Sequence, residues 1–280
     1  MTHWLLEPLA YSFMVRGLLA SLLVGTVCAV LGTYVVVKGM AFFGDALAHA
    51  ILPGVAVAYL ARWPLFAGAL VTGVIAAVGI GTLTRRGHLK EDTATGIIFS
   101  GAFALGIALL STVETYSVDL THFLFGNVLG VSTADLWLTA GLGGLVLLLV
   151  AAFYKEFLVL AFDPVLARML RLPTTLLHYL LLVMLAVTVV VSLQTVGVAL
   201  MVAMLVTPAA TAYILTRRMP AMMGLAALFG SLSAVAGLYL SFYVNVASGP
   251  AAVLVCTVLF LVALLLSPRR GLVWEWARRR

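Results

Sequence analysis

Long apolar runs, separated by short charged connections, occupy most of this chain and constrain its fold more than any other feature. A run of about 20 apolar residues can cross the hydrocarbon core of a bilayer as an α-helix. Charged residues make up only 9% of the chain, whereas soluble domains carry about 25%. The pattern predicts an all-α polytopic membrane bundle that forms a single transmembrane domain over residues 1–280. The predicted segments are 12–37, 41–60, 64–84, 93–111, 133–153, 175–196, 198–216, 222–243 and 250–267.

Basic residues cluster between the apolar segments, and such clusters favour the cytoplasmic side of a membrane. All of them lie on that side only if nine segments span and the N-terminus is outside. The segment 198–216 either spans the membrane or is re-entrant, so the sequence does not decide between eight and nine spans. This orienting role explains the net charge of +6 without nucleic acid as a partner and places the chain in the lipid of the cytoplasmic membrane. The clusters are Arg85, Arg86 and Lys90; Lys155, Arg168 and Arg171; Arg217 and Arg218; and Arg269, Arg270, Arg278, Arg279 and Arg280.

The second segment carries two ionisable side chains, Asp45 and His49, four residues apart. On a helix this spacing places them on one face, one turn apart. Ionisable groups at membrane depth usually face a protein partner or a water-filled path. A carboxylate and an imidazole are also common ligands of divalent metal ions. The residues alone therefore leave two interpretations, which are a metal site on a transport pathway and a structural ion pair between helices.

Proline and glycine predict where helices bend. Pro53 and Gly54 follow His49 closely and are expected to kink or interrupt the second segment. Pro208 lies inside the segment 198–216, where Thr207 and Thr211 can satisfy freed backbone groups. Pro53, Gly54 and Pro208 are the candidate hinge residues.

The inner connection 154–175 is predicted to contain a short amphipathic helix. Asp163 followed by Pro164 is a typical helix start, with an N-cap residue and then proline at the first helical position. Apolar residues follow in a stripe beside Arg168 and Arg171. Two interpretations are open, which are a helix that lies on lipid and a helix that docks a cytoplasmic partner.

A second polar cluster, Glu114, Asp119 and His122, lies in the outer connection 112–132. These residues are candidates for passing a metal ion inward or for meeting an extracytoplasmic protein. The alternative is ordinary loop polarity. His178 follows the inner connection and is expected to be structural.

Several long motifs, in order, resemble the metal-ion permeases of ATP-binding cassette importers, the manganese/zinc/iron family. RGLLASLLVGTVCAVLGTYVVVKGMAFFGDALAHAILPGVAVAYL resembles the opening of these permeases, and KEDTATGIIFSGAFALGIALLS and HFLFGNVLGVS resemble their second and third blocks. KEFLVLAFDPVLARMLRLP and the apolar stretch after it resemble the central block, and SGPAAVLVCTVLFLVALLLSPRRG resembles the ending. The resemblance covers nearly the whole chain.

This resemblance implies a fold and a set of partners. The fold would be that of a type II importer permease, with two copies of the chain as a homodimer on two cytoplasmic ATPase subunits. An extracytoplasmic metal-binding protein would deliver a divalent ion, which is a substrate, so no permanently bound cofactor is implied. Asp45 and His49 would line the pathway and face the same two residues of the second copy across the dimer axis. A coupling helix within 155–172 would dock into the ATPase, and its candidate residues are Lys155, Glu156, Asp163, Pro164, Arg168 and Arg171.

Other functions are weighed against this one. The chain has no G-x-x-x-x-G-K-[ST] motif, so it is expected to be a permease subunit that depends on a partner for ATP hydrolysis. An ion- or proton-coupled secondary metal transporter would use Asp45 and His49 as a relay, but would need no docking helix. An intramembrane hydrolase lacks support, because no H-E-x-x-H motif occurs. A permease for siderophores or cobalamin would need a wide polar cavity, whereas this pair suits a bare ion. Asp45 and His49 do not distinguish Mn²⁺ from Zn²⁺ or Fe²⁺.

Overall fold

The computed structural model describes residues 7–86, 89–112 and 128–267, and these residues form helices joined by short turns, with no β-strand among them. Short 3₁₀ turns at Pro8–Ala10 and Val128–Gly130 precede two of the long helices. In chain order the α-helices are α1 (Ser12–Lys38), α2 (Phe43–Ala50), α3 (Leu52–Leu60), α4 (Leu65–Arg86), α5 (Glu91–Leu110), α6 (Thr133–Ala152), α7 (Tyr154–Phe162), α8 (Pro164–Met169), α9 (Thr174–Val196), α10 (Val198–Leu215), α11 (Met219–Val244) and α12 (Ser248–Leu266).

Within the described ranges, nine stretches are long and apolar enough to cross a membrane, with α2 and α3 counted together as one. Each predicted segment corresponds to one of these stretches. The segment that left the number of spans open forms α10, a continuous helix of 18 residues with Pro208 inside it. The structure therefore supports nine spans and confirms the predicted all-α bundle.

The ends of the helices agree with the predicted orientation. Lys38 at the end of α1 contacts Glu91 at the start of α5, so these two ends lie on one side of the bundle. This is the side on which the sequence places the basic clusters. Arg62 is an exception, because it lies in the exposed turn between α3 and α4 at the opposite side.

Helix α1 lies at the centre of the bundle. It packs against α10 and α11 along most of its length, and also against α6 and α9. At the crossing with α11 the two backbones come close together, since a Cβ on Gly25 would lie 3.2 Å from the Gly230 carbonyl oxygen. Small residues at such crossings allow membrane helices to pack closely. Helix α9 joins this group to the other half of the bundle, where α3, α4 and α5 pack on one another.

Two glycines with positive φ end long helices and redirect the chain. Gly39 has a φ of 72° and follows α1, and the next amide, that of Met40, donates to the Val35 carbonyl at 2.9 Å. This left-handed ending is common for helices, and glycine adopts it without steric cost. Gly197 has a φ of 82° and a ψ of 170°, and it alone joins α9 to α10. The first turn leads the chain into α2, which carries Asp45 and His49.

The inner connection contains two helices, α7 and α8, where the sequence predicted one. Helix α7 follows α6 after a break at Phe153, and α8 begins at Pro164 as predicted. The two cannot merge, because proline lacks the N–H that would continue α7. Arg171 adopts a φ of 54° after α8, so α8 ends at Met169, before the predicted stop at Pro173.

Candidate metal centre

Asp45 and His49 are the two side chains of α2 that remain partly open. The Asp45 side chain is 41% exposed and the His49 side chain is 37% exposed. Every other residue of this helix is buried. An apolar helix that is buried everywhere except at an acid and an imidazole presents these two groups outward from the rest of the chain. The predicted pair is therefore brought together on one open face.

The distance between the two side chains is compatible with a shared metal ion as well as with an ion pair. His49 Nε2 lies 3.8 Å from Asp45 Oδ1, which is too long for a hydrogen bond. Bonds from nitrogen and oxygen ligands to such metals are about 2.1 Å long, so two ligand atoms on one ion lie at most about 4.2 Å apart. A single ion can therefore contact both side chains.

Two aromatic rings of α5 form a wall against the imidazole. The ring centroid of His49 lies 5.6 Å from that of Phe103, in edge geometry, and 6.0 Å from that of Phe99. The two phenylalanines stack on each other at 5.7 Å. They are the ninth and thirteenth residues of α5, which has 20 residues, so His49 lies about halfway along that helix. Sequence analysis did not identify this wall, although the i, i+4 spacing of its residues was a signal for it.

The break between α2 and α3 lies beside this pair. Ile51 separates the two helices, and Pro53 occupies a position in the first turn of α3. Gly54 packs where α3 crosses α4, against Thr72 and Gly68. Pro208 lies within α10, where the Thr211 hydroxyl donates to the Thr207 carbonyl at 2.7 Å. The hinge roles of Pro53, Gly54 and Pro208 stay predictions.

The outer cluster of Glu114, Asp119 and His122 lies outside the described residues, so its role stays a prediction. Among the residues that the structure describes, no group of three or more His, Cys, Asp or Glu side chains is arranged to hold a metal ion. In the described part of one copy, Asp45 and His49 therefore have no third His, Cys, Asp or Glu side chain placed to join them on an ion, and their role as metal ligands stays a prediction.

Helix α8 has the predicted N-cap and an exposed apolar surface. Asp163 Oδ1 accepts hydrogen bonds from the backbone N–H groups of Val165, at 3.0 Å, and Leu166, at 2.9 Å. Ala167 is fully buried against the bundle. Exposed apolar patches of this kind mark contacts with a protein or a membrane. The exposed apolar residues are Val165, Leu166, Met169 and Leu170.

The other candidate docking residues surround this helix. Lys155 and Glu156 lie in the first turn of α7, with Lys155 exposed and Glu156 partly so. Pro164 and Arg168 belong to α8, and Arg171 follows it. All of them lie at the same inner end of the bundle, and their coupling role stays a prediction.

A group of three polar side chains that the sequence did not predict lies at the inner end of the bundle. Lys38 Nζ lies 3.1 Å from Glu91 Oε1 and 3.4 Å from His178 Nδ1. Glu91 Oε1 lies 3.8 Å from His178 Nδ1. These residues are far apart in the chain, and only the packing of α1, α5 and α9 brings them together. We call them the inner cluster.

Sequence comparisons give the chain's relatives. The model of the ABC 3 transport family matches residues 10–267. The manganese transport system membrane protein MntC of Halalkalibacterium halodurans is 48% identical over 99% of this chain and 95% of its own length. The chelated iron transport system membrane protein YfeD of Yersinia pestis is 43% identical over 92% of this chain and 87% of its own length.

A solved structure has the same fold. PsaBC from Streptococcus pneumoniae, determined in complex with Fab, contains a chain that superposes with a TM-score of 0.85. It is 36% identical in sequence, and the match covers 99% of each chain. The similarity therefore extends over the whole bundle, including α2 and the inner connection.

Proposed function

This chain belongs to the ABC 3 transport family, and we propose that two copies of it form the pathway of an ATP-driven importer for a divalent transition-metal ion. It is a multi-pass protein of the cytoplasmic membrane and a permease subunit, so the ATPase is a separate subunit. In the proposed cycle, an extracytoplasmic metal-binding protein delivers the ion, Asp45 and His49 bind it, and alternating access releases it to the cytoplasm.

The observation that carries this proposal is the exposure of Asp45 and His49 partway through a membrane-spanning stretch. An acid and an imidazole exposed to lipid at that depth are costly. A second copy of the chain that covers this face removes the cost and encloses the pair. It also brings a second Asp45 and a second His49 to the axis, so that the dimer offers four ligands to one ion.

The surface beside the pair suits contact between two copies. Gly96, Ser100 and Ala104 recur every four residues on α5, next to Phe103, and are exposed or partly exposed. Nothing lies within 4 Å of the place where a Cβ on Gly96 would be. Small residues at this spacing let membrane helices approach closely. They would let the copies meet near His49 without filling the pathway.

The ligand chemistry and the relatives together favour Mn²⁺. Two carboxylates and two imidazoles give nitrogen and oxygen ligands without thiolates, which suits Mn²⁺, Fe²⁺ or Zn²⁺. A relative at 48% identity is a manganese transport protein, and one at 43% is a chelated iron transport protein. We therefore propose Mn²⁺ as the first substrate to test and Fe²⁺ as the second.

Helix α8 is the proposed docking element for the ATPase. It is short, capped by Asp163, and exposes apolar side chains at the inner side. A soluble partner that binds there can move α8 and, through it, the start of α9. The proposal accounts for this exposed patch, which a secondary transporter does not need.

The test is metal uptake by the permease and its ATPase in proteoliposomes, with Mn²⁺, Fe²⁺ and Zn²⁺ offered separately. We expect Asp45→Asn and His49→Ala to lose uptake while they still assemble with the ATPase. Changes to groups that only support metal ligands cost about 10- to 100-fold in affinity, so loss of a ligand should cost at least as much. Asp92→Asn is the matched control, because it removes the same charge from an exposed acid on α5.

Two results would contradict the proposal. Normal uptake by both Asp45→Asn and His49→Ala would make the pair structural and direct attention to Glu114, Asp119 and His122. Uptake that proceeds without the ATPase, driven by an ion or proton gradient, would instead support the secondary transporter.

A further inference from the structure

The inner cluster is mostly enclosed, although all three of its members are polar. The side chains of Lys38, Glu91 and His178 are 12%, 22% and 11% exposed. An ammonium group only donates, so His178 Nδ1 accepts from Lys38 and the imidazole proton lies on Nε2. His178 Nε2 is buried and has no hydrogen-bond partner among the described residues. Such a donor is costly to leave unpaired, so a change of side-chain arrangement that pairs it would be favourable.

A cavity of about 440 Å³ lies between the inner cluster and helix α8. Its wall includes all three cluster residues, and α8 contributes Pro164 and Arg168. Arg85, from the end of α4, also lines it. Glu91 is the one acidic residue of the wall, so its carboxylate has Lys38 as its present partner and two arginines within the same space. The cavity leaves room for α8 to move relative to the cluster.

Each member of the inner cluster lies on a direct route to the Asp45 and His49 pair or to α8. Lys38 ends α1, and the chain passes through the Gly39 turn into α2. Glu91 begins α5, whose Phe99 and Phe103 contact the His49 ring. His178 lies in the first turns of α9, which follows α8 after a short turn. The inner cluster thus connects α1, α5 and α9, the three helices through which movement of α8 would reach Asp45 and His49.

We propose that the inner cluster is a positioning device, in which Glu91 holds the inner ends of α1 and α5 and transmits movement of α8 to Asp45 and His49. This inference rests on the proposed docking of the ATPase at α8. None of the three residues contacts the transported ion. Their role is to set where α5 lies, and hence where the aromatic wall holds the imidazole of His49.

The physical basis is the cost of breaking an enclosed ion pair. Removing one partner leaves the other charge without compensation, which is strongly unfavourable. The ends of α1 and α5 therefore move together while Lys38 and Glu91 stay paired. An enclosed pair with alternative partners nearby favours discrete arrangements over continuous ones. Coupling between an ATPase and a distant metal site needs an element with two arrangements that both sites influence.

The test uses the assembled permease and ATPase in proteoliposomes and measures the metal ions transported per ATP hydrolysed. We expect Glu91→Gln to lower this ratio about fivefold or more, within the usual range of coupling factors. Assembly with the ATPase should remain, because α8 is unchanged. The permease should still bind Mn²⁺, because Asp45 and His49 are retained, but less tightly than the wild type, because the aromatic wall is held less firmly against His49. A residue that only stabilises the fold would lower the yield of complex and leave the ratio as it is.

Two further variants complete the design. Asp92→Asn is the matched control, since it removes the neighbouring charge on the same helix from an exposed site, and its ratio should equal that of the wild type. The reversed pair, Lys38→Glu with Glu91→Lys, restores opposite charges and should recover more coupling than Lys38→Glu or Glu91→Lys alone.

An unchanged ratio in Glu91→Gln would overturn the inference. If Glu91→Gln gives too little complex to measure, the same ratio is measured in Lys38→Gln, and an unchanged ratio there would overturn the inference. Loss of the assembled complex in both variants would assign the cluster a structural role and would also overturn the inference. These results are independent of the test of the proposed metal site. The metal-site proposal would be contradicted by normal Mn²⁺ binding in Asp45→Asn, regardless of the transport ratio measured in Glu91→Gln.

Discussion

Gly54 of α3 and Gly68 of α4 face each other where these helices cross, and a Cβ on either would overlap the carbonyl oxygen of the other. The backbones are therefore in direct contact just beyond the break at Ile51. Gly54 is a candidate hinge residue, and this contact shows that a glycine at this position is also needed for α3 to pack on α4. It also indicates that α3 moves with α4, so a hinge at Pro53 would separate α2 from this pair of helices.

We expect Gly68→Ala to destabilise the protein by about 1–3 kcal/mol, because the added methyl group meets backbone that cannot rotate away. The measurement is the thermal unfolding midpoint of purified protein in detergent. Gly144→Ala is the matched control, since nothing lies within 4 Å of the place where its Cβ would be. Alanine favours a helix over glycine, so the control should be neutral or slightly stabilising. Equal midpoints for the two variants would contradict the tight crossing of α3 and α4.

A second prediction concerns the outer ends of α6 and α9. Asp135 Oδ2 and the Ser132 hydroxyl form a capping box at the start of α6, while Asp135 Oδ1 accepts from Gln194 Nε2 at 2.8 Å. We expect Asp135→Ala to cost about 2 kcal/mol, since it removes the carboxylate that accepts from the Ser132 N–H in the capping box and leaves the Gln194 Nε2 donor unpaired. Ser132→Ala loses only the cap and should cost about 1 kcal/mol.

A double-mutant cycle separates these two contributions. Asp135→Ala and Gln194→Ala, singly and together, should give an interaction energy of about 1 kcal/mol in thermal or denaturant unfolding. If the effects of the two single changes simply add, the hydrogen bond between Asp135 and Gln194 contributes nothing, and the outer ends of α6 and α9 are held by packing alone.

The positions of the apolar segments and the start of α8 were predictable from the sequence because their causes are local, whereas the sequence left open whether the segment 198–216 spans the membrane. A helix needs about 20 apolar residues to cross the bilayer, and that count is visible in the chain. Asp163 and Pro164 begin α8 through contacts within four residues. The pairing of Asp45 with His49 on one face is likewise a consequence of helical periodicity.

The inner cluster and the aromatic wall were not predictable for the opposite reason. Lys38, Glu91 and His178 meet only after α1, α5 and α9 have packed, and no local pattern specifies which helices pack together. The wall of Phe99 and Phe103 depends in the same way on α5 lying beside α2. Helix α7 was missed because Lys155 and Glu156 interrupt the apolar run after Phe153, so the pattern marks the end of α6 but not the start of a further helix.

The aromatic wall gives a third prediction. We expect Phe103→Leu to weaken Mn²⁺ binding about two- to tenfold, because loss of the edge contact lets the His49 ring leave the orientation that faces Asp45. Binding of Mn²⁺ to the permease in nanodiscs, measured by calorimetry, tests this. Phe66→Leu is the control, since it makes the same change on α4, where Phe66 packs against the core. Equal affinity in the two variants would mean that the wall does not orient the imidazole.

The cap of α8 gives the last prediction. Helices this short are marginal without tertiary contacts, and α8 has only six residues. We expect Asp163→Ala to cost about 1 kcal/mol of local helix stability and to weaken assembly with the ATPase, measured by co-purification. Asp163→Ser should retain assembly, because a serine hydroxyl accepts the same backbone hydrogen bonds. If Asp163→Ser fails as completely as Asp163→Ala, the ATPase recognises the carboxylate itself, and the cap is not what the docking helix requires.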